Sequence, residues 1–585
     1  MDRILHIDLT TEKVWADDYE FGPGKAYGRG LVLELLEQGT ERETGRYDEG
    51  NVIVLAPGYL VGCKAPSATR MFVATLDGAG CGMQIANVTG NMPQKLGSLG
   101  CAAVVIHGRS AKKGAVISID EAGVRIGHEP ALSELRAGEI IKSLRAEHGR
   151  DSAIIGITRS GDMKMSLAGF FMTYPSGSPV YHCPRSSFGD VWGDKNIRAV
   201  VVNAKNPFGR ECAEPDAFWA VGKELTQRIV NNEICGSALP GYGSITLLKI
   251  LKSGRSLGDL SIQCGSRAAG SGTTDSESYG RSAASCGPAC ASKSETSSGV
   301  PSTSETSSGA VACGVPSTPD SSNAPPARGL SPMTPIRKRK SGINTTCAPM
   351  CVIGCLNRHA STTGHRYSSP AESEVGAALE QCFGIDDPVL ASEIQQKANE
   401  IGIIVPEYVT AARAFAEANG IVDAPEHLIA WLDEIEKGTV TGRVLASRTS
   451  GIAKLYGDRN LAPLLDRRAI EDENQYQVEL GSQYPSLGNL SPLELLYAQI
   501  FVLENLGLCI FTSFALLDNP VCFDLLARQF SHRSGFPVTA EDLLTYANQC
   551  IEAEKSFDQK HWRASQTADI PQFTKVLYIY FDKSH

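Results

Sequence analysis

Residues 51–76 read NVIVLAPGYLVGCKAPSATRMFVATL. Two runs rich in β-branched and aliphatic side chains, NVIVLAPG and RMFVATL, flank a loop of Gly, Pro and Ser. That arrangement predicts two short, buried strands joined by an irregular connection. The same texture recurs outward from this stretch, in RILHIDL before it and in AAVVIHG, GAVISID, SAIIGIT and RAVVVNA after it. Residues 131–148 interrupt the series with Leu132, Leu135, Ile140, Ile141 and Leu144 at helical spacing. Residues 1–205 are therefore expected to form a β-rich domain with helical excursions.

From Glu214 onward the apolar period changes to three and four residues. Helices are expected over 214–232, 244–253, 388–401, 408–419, 425–437, 440–456, 491–508, 521–530 and 540–557. The fold class is α+β. On this reading residues 206–264 begin the helical part, 343–422 form a helical domain with a cysteine loop, and 423–585 form a C-terminal helical domain. Between them residues 265–342 are dominated by Ser, Gly, Thr and Pro, then end in a basic run, Arg337 to Lys340. Such a composition buries too little apolar surface to offset chain entropy, so a disordered insertion is expected. The basic run reads as a solvated flank.

The chain has 585 residues and a net charge of −10, from 55 basic and 65 acidic side chains. Its length calls for roughly three or four domains. The acidic balance argues against a nucleic-acid partner, which would need a basic face. No apolar run reaches the ~18 residues of a membrane span, and MDRILHIDLTTEKVW at the N-terminus has no signal-peptide pattern. Seventeen cysteines without such a pattern point to reduced thiols in a cytoplasm, some of them binding metal, rather than to a disulfide scaffold.

Three of those cysteines, Cys347, Cys351 and Cys355, fall within nine residues. Soft, anionic thiolates in a compact loop suit one face of an iron–sulfur cluster, with a fourth thiolate arriving from elsewhere. Zinc more often takes two separated Cys pairs. Buried free thiols are the plainer alternative. Cys286, Cys290 and Cys313 lie inside the insertion, where no fold would hold a cluster.

Several motifs in shared order resemble the aldehyde:ferredoxin oxidoreductase family. They are RILHIDLTT with Gly28-Arg29-Gly30-Leu31; APGYLVG with Ala65-Pro66 and Arg70; Ala86-Asn87 through Gly108; Arg185, Gly189, Gly193, Lys195 and Asn196; and Leu239 to Gly243. The cysteine loop falls where that family has its own triplet, with three rather than two residues in the first gap. Gly507-Leu508-Cys509 resembles the family's "GLC" segment, which makes Cys509 the implied fourth cluster ligand.

The resemblance implies a β-rich base followed by two mainly helical domains. It also implies a four-iron four-sulfur cluster and a tungsten or molybdenum bis-pterin between the domains. It further implies oxidation of an aldehyde or related small molecule, with electrons leaving to ferredoxin or an iron–sulfur subunit. Arg70, Asn87 and Arg185 match pterin contacts, Glu504 stands where the family has a ring-binding Asp, and Leu508 lends backbone beside the cluster.

The chain also departs from the family. Ile404 stands in place of a pterin-binding Asp, Ser186-Ser187 in place of a Gly pair, and Gln396 in place of the His of an iron site, so that iron is not expected. Glu372 or Glu374 would have to stand for a proposed catalytic Glu, although both also read as solvated acids at a helix start. The family's active-site His segment is missing between Leu445 and Glu504, leaving His182 or His365 as acid–base candidates; His182 reads equally as a structural histidine. The alternative reading is a catalytically degenerate paralogue serving as an electron-transfer or scaffold subunit.

Overall fold

The structure is a computed structural model. It describes residues 2–22, 24–77, 82–175, 181–184, 187–243, 346–356, 359–360, 366–367, 372–456 and 484–561. Arg185, Ser186, His365, the helix expected at 244–253, the insertion and its cysteines lie outside the described residues.

The N-terminal domain is a sandwich of two six-stranded sheets. The first contains β1 (Asp2–Asp8), β2 (Lys13–Tyr19), β3 (Ile53–Pro57), β4 (Met71–Leu76), β5 (Met83–Val88) and β6 (Cys101–His107), in the order β2-β1-β6-β3-β4-β5. The second contains β7 (Ala115–Asp120), β8 (Gly123–His128), β9 (Ala153–Gly156), β10 (Phe171–Thr173), β11 (Tyr181–His182) and β12 (Ile197–Val202), in the order β11-β10-β9-β12-β7-β8. Pairing is antiparallel except for β1 with β6 and β12 with β7.

Inward faces of both sheets meet in one apolar core that includes Ile7, Leu55, Val73, Val104, Ile117, Ile155 and Val200. The outer face of the first sheet is covered by the helix Gly28–Gly39 through Leu31, Val32 and Leu36. The outer face of the second is covered by Ala137–His148 through Ile140, Ile141 and Leu144. Inner strands are thus buried on both faces, which is why they read as continuous apolar runs. All seven expected strands are present.

Helices form two cores. Glu372–Phe383, Pro388–Ile401, Val405–Asn419, Ala424–Lys437, Val440–Leu445 and Arg448–Tyr456 contribute to one, from Val375 to Ile452. The expected boundary at 422/423 therefore falls within a single core. Pro215–Asn231 joins Pro492–Leu506, Pro520–Ser534 and Ala540–His561 in the other. The helix expected at 440–456 is broken after Leu445. There Ala446 O accepts from Leu167 N at 3.0 Å and Arg448 Nε donates to Ser166 O at 2.9 Å, so tertiary bonds replace helical ones.

Pro492–Leu506 starts at a capping box, Ser491 with Glu494, and is buried along almost its whole length. Among the described residues no helix is long and apolar enough to cross a membrane.

Candidate functional site

The connection from β3 to β4, residues 58–70, reaches out of the sandwich and grips the C-terminal end of Pro492–Leu506. That helix ends at Gly507, whose φ of 82° is left-handed, a conformation glycine adopts without Cβ strain. A Cβ on Gly58 would overlap the Gly507 backbone. The close approach is closed by backbone bonds. Tyr59 N donates to Asn505 O at 2.9 Å and Leu60 N to Leu506 O at 3.0 Å, while Thr69 N and Arg70 N donate to Gly507 O at 2.8 and 3.0 Å. Leu508, buried, pairs with Ala68 in an isolated antiparallel bridge.

Ser67 connects the two cysteine segments. Its carbonyl accepts from Cys509 N at 3.0 Å, and its own N–H donates to Met350 O at 2.8 Å. Its Oγ accepts from Val352 N at 3.3 Å. It does this from a left-handed φ of 55°, an unfavourable conformation for a residue with a Cβ. The Cys347–Cys355 loop and Cys509 are thereby docked on opposite sides of one residue.

Cys347, Cys355 and Cys509 are buried and Cys351 is partly so. Arg70 Nη2 donates to Cys509 Sγ at 3.0 Å. Burial works against the Arg70 charge, but the neighbouring Cys509, Cys347 and Cys355 sulfurs hold its pKa above the usual range. A hydrogen bond from Cys351 brings the Cys347 thiol down to about 6 against its burial, with help from Arg70. The same bond, then burial, pushes Cys351 up. Cys355 is raised by burial, then by Cys347 and Cys509. Gly354 N donates to Cys351 Sγ at 3.3 Å, and Thr89 Oγ1 lies 3.5 Å from Cys347 Sγ. Among the described residues no group of three or more His, Cys, Asp or Glu side chains is already arranged around a metal position.

Asn87 and Glu504 are brought together: Asn87 Nδ2 donates to Glu504 Oε1 at 3.0 Å. Glu504 Oε2 accepts from Arg29 Nη1 at 2.6 Å. Arg29 also binds Glu554 in bidentate fashion, at 2.6 and 2.7 Å. Sequence reasoning found Glu504 but not this buried Arg29–Glu554 partnership, whose members lie 525 residues apart and share no local signal. It missed Ser67 for a different reason, since two of that residue's three bonds to the cysteine segments are made by its backbone.

His182 is buried and stacks on Tyr174, with ring centroids 4.5 Å apart. Burial, then the Arg70 charge, lowers its pKa to about 3, so the imidazole is neutral at ordinary pH. Ile404 is buried at the start of Val405–Asn419 and donates its N–H to Leu167 O at 3.1 Å. Glu372 and Glu374 sit in the first turn of Glu372–Phe383.

Thr69 Oγ1, Arg70 Nε, Asn87 Oδ1 and His182 Nδ1 are buried without a partner among the described residues. Buried polar atoms ordinarily find partners. Three thiols, Cys509, Cys347 and Cys355, act on the Arg70 guanidinium, and soft sulfur donors with unsatisfied polar atoms are the donor types that an iron–sulfur cluster and a polar ring system take.

Residues 4–204 match the family model described as aldehyde ferredoxin oxidoreductase, N-terminal domain. The tungsten-containing aldehyde ferredoxin oxidoreductase of Pyrococcus furiosus is 25% identical over 251 residues, 43% of this chain and 40% of the relative. The enzyme of the same name from Thermococcus kodakarensis is 26% identical over the same shares. The match thus spans well under half the length of these relatives. A solved structure, the active site complex BamBC of benzoyl coenzyme A reductase with 1,5-dienoyl-CoA, has a TM-score of 0.66 at 14% identity. It covers 99% of this chain and 94% of its own, a likeness of fold alone. By family model and by curated relatives alike, residues 4–204 form a divergent N-terminal domain of the aldehyde ferredoxin oxidoreductase type.

Proposed function

We propose that the protein is an oxidoreductase of the aldehyde:ferredoxin oxidoreductase type. In this reading Cys347, Cys351, Cys355 and Cys509 hold a four-iron four-sulfur cluster. A tungsten or molybdenum bis-pterin lies beside it, against Arg70, Asn87, Arg185, Glu504 and Leu508. The substrate is an aldehyde or a related small molecule, and electrons leave to ferredoxin or an iron–sulfur subunit. The observation that carries the reading is the docking of both cysteine segments on Ser67, beside the Arg70 guanidinium.

When bound, the metal–pterin centre supplies two-electron redox chemistry and Lewis acidity. The chain's own residues do the rest. Arg70 offsets the negative charge gathered by four thiolates and presents Nε to a neighbouring acceptor. Asn87 Oδ1 accepts from a ring N–H, and Glu504 offers remaining lone pairs beside it. The buried loop 58–70 excludes water. His182, neutral and stacked, orients rather than exchanges protons.

Anaerobic purification with elemental and pterin analysis tests this. The reading expects about four iron atoms per chain together with tungsten or molybdenum and pterin. Cys509→Ser should lower iron content and visible charge-transfer absorption while the fold persists. Iron without pterin would remove the pterin enzyme and leave an electron-transfer subunit. Unchanged iron in Cys509→Ser would remove the assigned cluster.

A further inference from the structure

Away from this site, two thiols differ from the rest. Cys101, Cys183, Cys382, Cys522 and Cys550 are each pushed up by burial and stay protonated. Cys63 and Cys212 instead line one cleft together, and each acts on the other's titration, Cys63 being lowered and Cys212 raised. Cys63 belongs to the loop 58–70, and Cys212 to the segment between β12 and Pro215–Asn231. Both line an open cleft of about 340 Å³, with Lys64, Phe208, Arg210 and Trp219 also on its wall. Cys63 is buried, whereas Cys212 is half-exposed.

The cleft lining carries two basic side chains, Lys64 and Arg210, against one acidic one, Glu211. Arg210 and Arg533 converge on Asp2 at 2.9 and 2.5 Å, leaving two guanidinium groups against one carboxylate. Lys64 Nζ stands 5.1 Å from the centroid of the Trp219 ring, on the wall. Burial raises the Cys63 pKa, but the Cys212 thiol and the two arginines bring it to about 7. A thiolate in such surroundings is the nucleophile of thiol–disulfide exchange.

We propose that Cys63 and Cys212 form a reversible disulfide by exchange with a low-molecular-weight disulfide admitted through this cleft. The Cys63 thiolate attacks one sulfur of the incoming disulfide, forming a mixed disulfide and expelling one thiolate. Cys212 then loses its proton and attacks the Cys63 sulfur, forming the internal bond and expelling the second thiol. Two electrons pass from the protein sulfurs to the small disulfide, which leaves as two reduced thiols. With Lys64 and Arg210 on the wall against Glu211 alone, an anionic disulfide such as oxidised glutathione suits the cleft. The bond would tether the loop that carries Ser67 and Arg70 to the chain ahead of Pro215–Asn231. It does not depend on any metal in the neighbouring site.

The test uses the full chain, purified anaerobically and incubated with oxidised glutathione. Free thiols are then alkylated, and the protein is digested without reduction. The expected result is a peptide pair joining Cys63 to Cys212, formed before linkage at any other cysteine and released by dithiothreitol. In Cys212→Ser, Cys63 should instead retain a glutathionyl group. Recovery of both residues alkylated from the native wild-type chain would overturn the proposal, as would a link that forms only after denaturation. The wild-type arm decides the matter even if the variant fails to fold.

Discussion

Replacing Arg29 with Met tests the buried charge cluster that holds Glu504. Arg29 is almost wholly buried and is the cation between Glu554, at 2.6 and 2.7 Å, and Glu504, at 2.6 Å. Met keeps much of the volume against Phe501, whose ring centroid lies 4.4 Å from the guanidinium carbon. The loss is therefore mainly of charge. Removing one partner of a buried ion pair costs about 3–5 kcal/mol because the other is left uncompensated. That corresponds to a fall of about 6–20 °C in the midpoint of the cooperative unit concerned.

The sign of the pH dependence follows from Glu554. Burial raises its pKa above 4.5 even with Arg29 opposing, and without Arg29 the rise grows. The folded variant then binds more protons than the unfolded chain above 4.5, so its stability falls as pH rises. Thermal melts of wild type and Arg29→Met across mildly acidic to neutral pH give the comparison. The variant should be closest to wild type at the acid end, and adding Glu554→Gln should recover part of the loss. A deficit under about 1 kcal/mol, with no pH slope, would refute the cluster as described.

Gly507→Ala should destabilise by about 3 kcal/mol, combining a left-handed Cβ with overpacking; its Cβ would meet Val61 Cγ2 at 2.5 Å and Gly58 Cα at 2.9 Å. Denaturant midpoints check this, and Gly58→Ala should act in the same direction. Ile404→Asp, which restores the family's residue type, should lower stability by several kcal/mol, roughly the cost of a buried carboxylate without a partner, and should not raise pterin content. His182→Phe should retain stability on acidification better than wild type. The wild-type imidazole, at about 3 when folded against 6.5 unfolded, loses its contribution as pH falls through that window. Acid titrations monitored by circular dichroism give the comparison.

Legibility of the fold followed burial. Strands such as β3 and β6 lie inside the sandwich, so both of their faces are apolar and the runs are visible in isolation. β2 reads KVWADDY and is exposed along six of its seven residues; β8 is a second edge strand with only partial cover. Charges on such edges guard against pairing with other chains, and the same charges hide the strand from a search for apolar runs. Helical period likewise marked most helices but not their partners. Pro215–Asn231 packs with helices more than 280 residues later in sequence, as Asn232 Nδ2 donating to Phe514 O illustrates. Nothing local encodes such an association.

At the site, what could be read was chemistry, and what could not was support. Thiols in a tight loop announce soft-metal binding by residue type alone. Ser67 acts mainly through φ, N–H and C=O, which any residue name conceals, with its Oγ adding one bond from Val352 N. Glu504 lies between these cases. The family resemblance marks its carboxylate as a ring-binding acceptor, yet both oxygens already carry one hydrogen bond, from Arg29 and from Asn87. Each carboxylate oxygen has capacity for a second. The two bonds fix the plane of the carboxylate. Arg29 is in turn fixed by Glu554 on Ala540–His561. The orientation of Glu504 therefore depends on the helix Ala540–His561, late in the chain. Glu554→Gln should loosen Glu504 without touching the site, and pterin retention, measured beside an unchanged iron content, should fall.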